Sequence, residues 1–96
     1  MKEMPIHEWL KKEMKKEFPG CLYIKAPAGI YSSRRGISDF IFCVNGRFVA
    51  IEVKTEVGKI TPIQEQFLKE VEEAGGIAIC MYGKDKLTFT HIRSRL

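Results

Sequence analysis

The chain has 96 residues, 45% of them hydrophobic and 29% charged, a balance that suits one small globular domain rather than a disordered chain. Sixteen Lys and Arg against twelve Asp and Glu give a formal charge of +4, which favours an anionic partner, nucleic acid first, without identifying one. No apolar run approaches the roughly 20 residues of a membrane span, and three scattered cysteines, Cys21, Cys43 and Cys80, suggest neither a disulfide framework nor a zinc knuckle.

The N-terminus, MKEMPIHEWLKKEMKKE, is charged throughout and lacks the apolar core of a secretory signal, so the expected location is the cytoplasm. Pro5 suits the first turn of a helix, and Ile6, Trp9, Leu10, Met14 and Phe18 follow at helical spacing. The pattern predicts a first helix over Pro5 to Phe18, stopped by Pro19 and Gly20, with Lys11, Lys12, Lys15 and Lys16 mainly on its other side. CLYIKA, Cys21 to Ala26, reads as a strand, and PAGIYSSRRG after it as a loop. Two further strands, Ile37 to Val44 and Arg47 to Thr55, are joined by Asn45-Gly46, the strongest short-range hairpin signal.

Thr61, Pro62 and Gln64 together mark a helix start, with Thr61 as N-cap, Pro62 at the first position and Gln64 completing a capping box. Ile63, Phe67, Leu68 and Val71 form its apolar stripe, and Gly75-Gly76 ends it. IAICMY, Ile77 to Tyr82, is a short apolar strand, and LTFTHI, Leu87 to Ile92, is expected as a final edge strand. The order describes a small α/β domain with a mixed sheet, a single unit over residues 1–96.

A two-residue turn at Asn45-Gly46 fixes the hairpin register. Val44 then faces Arg47, Cys43 faces Phe48, and the sequence of pairs runs outward until Asp39 lies opposite Glu52, with Lys54 pointing to the same face. Like charges directly opposed across strands repel, and burying either one unpaired is costly. Apolar residues on both sides of Glu52 mark its strand as central. Two explanations stand side by side. Lys54 neutralises Glu52 in a partly exposed salt bridge while Asp39 caps a turn, or the two carboxylates bind a hard divalent cation. The second is favoured, because such a cation accepts oxygen ligands, relieves the repulsion and serves phosphodiester hydrolysis. His7, in the first helical turn, and His91, near the C-terminus, lack motif partners and are poor candidates for a base.

G-I-S-D (Gly36 to Asp39) followed by I-E-V-K (Ile51 to Lys54) resembles the PD-(D/E)XK nuclease signature. R-R-G-I-S-D, N-G-R-F-V-A-I-E-V-K-T, T-P-I-Q and E-A-G-G together resemble the VRR-NUC domain, the virus-type replication and repair nucleases, from Glu8 to about Met81. The resemblance implies a restriction-endonuclease-like core of helix, three strands, helix and strand, with dependence on Mg²⁺ or Mn²⁺. It implies Asp39 and Glu52 as metal ligands, the Val53 carbonyl as a further ligand, and Lys54 as the residue that positions water or stabilises charge. Gln64 matches the family's glutamine on the second helix, where the capping box competes for the same side chain. Glu8 matches a glutamate on the first helix, an additional metal-site residue, although the helical wheel turns it away from the apolar stripe. Ser38 stands where the family usually has proline, and the Pro27 to Ser33 loop is long for the family.

Stand-alone family members resemble phage-encoded homodimeric resolvases of four-way DNA junctions. Ile77, Ile79 and Met81, or the first helix, are candidate pairing surfaces, and a monomer's core would use the same residues. Arg34 and Arg35 sit just before the metal strand, and with Lys25 and Lys59 they are the residues expected along the DNA phosphates. The expectation is a metal-dependent endonuclease for branched DNA. The alternatives are a flap or nicking nuclease, a DNA-binding module without turnover, and a plain assembly protein.

Overall fold

A computed structural model describes residues 3–25, 36 and 38–96. Its elements run α1 (Glu3–Glu17), β1 (Leu22–Lys25), β2 (Phe40–Val44), β3 (Arg47–Lys54), α2 (Pro62–Glu73), β4 (Ile77–Tyr82) and α3 (Leu87–Arg95). One four-stranded sheet has the order β1-β2-β3-β4, antiparallel across the first two pairs and parallel between β3 and β4. This is a mixed sheet of the restriction-endonuclease-like kind, flanked by helices, with a third helix added at its end.

Alternation along β2 and β3 decides which helix covers which face. Phe40, Phe42 and Val44, with Val49, Ile51 and Val53, pack against Ile6, Leu10, Met14 and Phe18 of α1, and Ile77, Met81, Phe89 and Ile92 complete that core. On the opposite face a smaller cluster joins Ala50 to Phe67 and Val71 of α2. Both faces of β3 are therefore covered, and Val49 through Val53 are all buried. The apolar residues considered for pairing between subunits, Ile77 and Met81 and the α1 stripe, belong to this monomer core. Ile79 is only half-buried and packs at its margin.

The hairpin forms in the register set by its turn: Val44 pairs with Arg47 and Phe40 with Ile51. Asn45 and Gly46 have φ of 50° and 79°, the left-handed pair that a type I′ turn requires. β2 and β1 each start later than the sequence suggests, and Ala26, the expected end of β1, lies outside the described residues. β2 begins at Phe40 rather than Ile37, which lies outside the described residues, and β1 covers Leu22–Lys25 of the expected Cys21–Ala26. α1 starts at Glu3, which leaves Pro5 within the first turn, where its missing N–H is harmless.

The C-terminal segment corrects the expectation of an edge strand, because Leu87–Arg95 is helical. Extended backbone would send Phe89 and Ile92 to opposite faces, whereas one helical turn buries both in the α1-side core. Asp85 starts the turn by accepting the Leu87 N–H on Oδ1 at 3.0 Å and the Thr88 N–H on its carbonyl at 3.2 Å. Arg93 then pairs with Glu17 and lies over the Phe18 ring, fastening α3 to the end of α1.

Candidate active site

The site lies where β2 begins and β3 ends. One step beyond the last β2–β3 pair, Asp39 comes opposite Glu52, as the turn dictates. Asp39 has left the ladder, and its Oδ2 accepts the Val53 N–H at 2.9 Å, a cross-strand tie made by a side chain in place of a carbonyl. Gly36, at φ 81°, packs its Cα side against the Ile63 side chain and carbonyl, so a Cβ there would collide with the start of α2. That close approach brings the turn preceding Asp39 against the second helix.

Glu52 is 3% exposed. Its Oε2 is 3.3 Å from the Lys54 ammonium, which is itself mostly covered, and its Oε1 is buried with no hydrogen-bond partner among the described residues. Burial, then the charge of Asp39, push the Glu52 carboxyl up to about 7; Lys54 and the Asp39 backbone oppose the rise without cancelling it. The salt bridge thus exists, but it does not balance the acidic pair. Cys80 is the direct β4 neighbour of Glu52, and burial raises its thiol out of the reactive range.

The other expected site residues divide. Val53 is buried, with its N–H given to Asp39. Gln64 completes the capping box: its Oε1 accepts the Thr61 N–H at 3.0 Å, and its own N–H donates to Thr61 Oγ1 at 3.2 Å. Glu8 projects from the exposed side of α1 and pairs with Lys11 at 3.1 Å. Lys25 ends β1 with its ammonium 5.4 Å from the Phe40 ring centroid, Lys59 is exposed, and Arg34 and Arg35 lie outside the described residues.

The residue of α1 that does reach the acidic pair is His7. It is 7% exposed, its Nε2 is 3.8 Å from Asp39 Oδ2, and its ring meets Phe40 edge-on at 5.3 Å. Helical spacing held the signal: His7, Leu10 and Met14 fall on one stripe, from which Glu8 is turned away. Spacing names the face and not the partner, so the contact with Asp39 appears only once α1 is packed on the hairpin.

These groups suit a hard divalent ion. Two carboxylates face one another, one buried oxygen lacks a partner, and protonation or a cation are the two ways to relieve the pair. Among the described residues no three His, Cys, Asp or Glu side chains converge to form a complete cage. Mg²⁺ characteristically uses one or two carboxylates and takes its remaining ligands from water and substrate phosphate.

The VRR-NUC domain family matches residues 3–85, most of the chain and all of this site. No curated protein and no solved structure matches it.

Proposed function

The chain belongs to the VRR-NUC domain family, a nuclease family that acts on DNA, and from that premise we propose a metal-dependent, structure-selective endonuclease that cleaves phosphodiester bonds in four-way junctions. The observation that carries the reading is the opposed pair Asp39 and Glu52, with Glu52 Oε1 buried and unpartnered and Lys54 at 3.3 Å from the other oxygen. A stability-driven core has no use for such a pair.

Asp39 and Glu52, with the Val53 carbonyl, would hold Mg²⁺ or Mn²⁺. When bound, the ion supplies Lewis-acid polarisation of the phosphate and a lowered pKa for water. Lys54, held beside Glu52 by the alternation of β3, orients a water for attack or donates to the phosphate as charge builds on its oxygens. Gln64 keeps its Oε1 on the Thr61 N–H, so only its Nε2 end would be left to serve the substrate. Arg34, Arg35, Lys25 and Lys59 contact phosphates, which position the DNA without reading bases.

The reading includes a homodimer. Leu22, Cys43 and Phe48 are register partners across β1, β2 and β3, and Ile24 and Ile41 form the next row on the same face. Leu22 is 74%, Ile24 67% and Phe48 47% exposed, around a hollow lined wholly by uncharged residues. Because this apolar face is uncharged, a second copy docked on it brings no like charges into contact there, and patches of this kind mark interaction surfaces.

The test is cleavage of end-labelled four-way junction, flap and linear duplex in Mg²⁺ or Mn²⁺. The reading expects symmetric junction incision well above duplex cutting. Preference for the flap would make the chain a flap nuclease, and binding without cleavage in either ion would leave only a DNA-binding module.

A further inference from the structure

We propose that His7 is a positioning residue for Asp39, holding that carboxylate in the orientation an ion requires. The inference rests on Asp39 being a metal ligand, and it concerns what keeps the ligand in place.

Asp39 precedes the first paired residue of β2, so ladder hydrogen bonds do not fix it. Two groups from other elements meet the same oxygen, Oδ2: the Val53 N–H of β3 at 2.9 Å and His7 Nε2 of α1 at 3.8 Å. The hydrogen bond sets how far the carboxylate can withdraw. The imidazole, in electrostatic contact at that distance rather than hydrogen-bonded, closes the α1 side, and both anchors act on the same oxygen, Oδ2.

The ring is well placed to act as a stop. It lies between the buried Ile6 and Leu10 positions of the helix stripe and stands at 89° to the Phe40 ring, so it is wedged by the same core that carries β2. Any shift of α1 against the hairpin moves His7 relative to Asp39. Groups that orient ligating side chains from behind typically account for 10- to 100-fold in metal affinity.

Mn²⁺ titration calorimetry on the full chain without DNA, with melting in EDTA as a fold control, tests this in wild type, His7→Leu and His7→Gln. His7→Leu keeps the bulk and loses the polar contact, and is expected to weaken Mn²⁺ binding about 10-fold. His7→Gln, whose Nε2 has similar reach, is expected to stay within about threefold of wild type. Should His7→Leu not fold, His7→Asn decides: polar but too short to reach Asp39, it must lose affinity that His7→Gln keeps. Equal Mn²⁺ binding by wild type and His7→Leu overturns the role of His7 alone, as does an equal loss in His7→Leu and His7→Gln. A wild-type chain that takes up no Mn²⁺ overturns the metal reading and the role of His7 with it.

Discussion

Glu52 is where the cost of this site concentrates. Its carboxyl titrates near 7 in the folded chain against an ordinary value of 4.5, so between those values the folded state binds the more protons. Stability therefore falls as pH rises through that window, by about 3 kcal/mol in total for a shift of this size. Glu52→Gln has no proton to lose. Urea melts of the metal-free proteins should show wild type and Glu52→Gln diverging from pH 5 to pH 8.5 in favour of the variant; parallel curves would mean that Glu52 is not held in this state. Ser38 offers a smaller test, because the residue is 1% exposed and its buried Oγ has no hydrogen-bond partner among the described residues. Removing an unsatisfied buried hydroxyl removes a desolvation penalty, so Ser38→Ala should be stabilising by about 1 kcal/mol in the same melts. The acidic pair was legible in the sequence because a two-residue turn converts residue numbers into spatial partners. His7 was not, since its significance depends on how a helix packs on a hairpin more than thirty positions away in the chain.

The elements differ in how strongly their sequences specify them. Asn45-Gly46 and the Thr61–Gln64 box each have a local chemistry with one structural meaning, and both form as read. β4 likewise has the expected Ile77–Tyr82 bounds, an apolar run between glycines. The Leu87–Ile92 segment lacks such a signal. Its alternating Thr residues resemble a strand, and only the demand that Phe89 and Ile92 share one core makes it a helix. The element most sensitive to a single change is the turn before Asp39. Gly36→Ala must both adopt φ 81° and displace the Ile63 backbone at the start of α2. It should be destabilising by about 2 kcal/mol or more and should disturb Asp39, lowering metal affinity as well as melting temperature. Thr61→Ala, which removes only the cap, should cost about 1 kcal/mol and leave metal affinity unchanged. Comparing the two variants by melting and Mn²⁺ titration separates a loosened helix from a displaced ligand.

At the scale of the molecule, α2 covers only part of its sheet face and leaves Leu22, Ile24 and Phe48 exposed. Ile24→Lys places a charge within that region and should turn the proposed dimer into a monomer in sedimentation, with little change in the monomer's own fold because Ile24 is already exposed. A dimer that persists in Ile24→Lys would place the pairing surface elsewhere, and a wild type that sediments as a monomer would contradict the homodimer. The formal charge of +4 gives a second global property. DNA binding should weaken linearly on a log-log salt plot, and replacing Arg34 and Arg35 together by Ala should flatten the slope by up to about 2 if each neutralises one phosphate. No helix of the described residues is long and apolar enough to cross a membrane.

Cleavage of four-way junction DNA by wild type and Asp39→Asn across a Mg²⁺ and Mn²⁺ titration decides whether the opposed acidic pair on the hairpin is a catalytic metal site. Asparagine keeps the size of the side chain and removes the charge that an ion needs. The account predicts ion-dependent incision by wild type and a loss of at least about 100-fold in Asp39→Asn, with the variant still folded and still binding the junction. Incision that persists in EDTA, or that survives in Asp39→Asn, would contradict it.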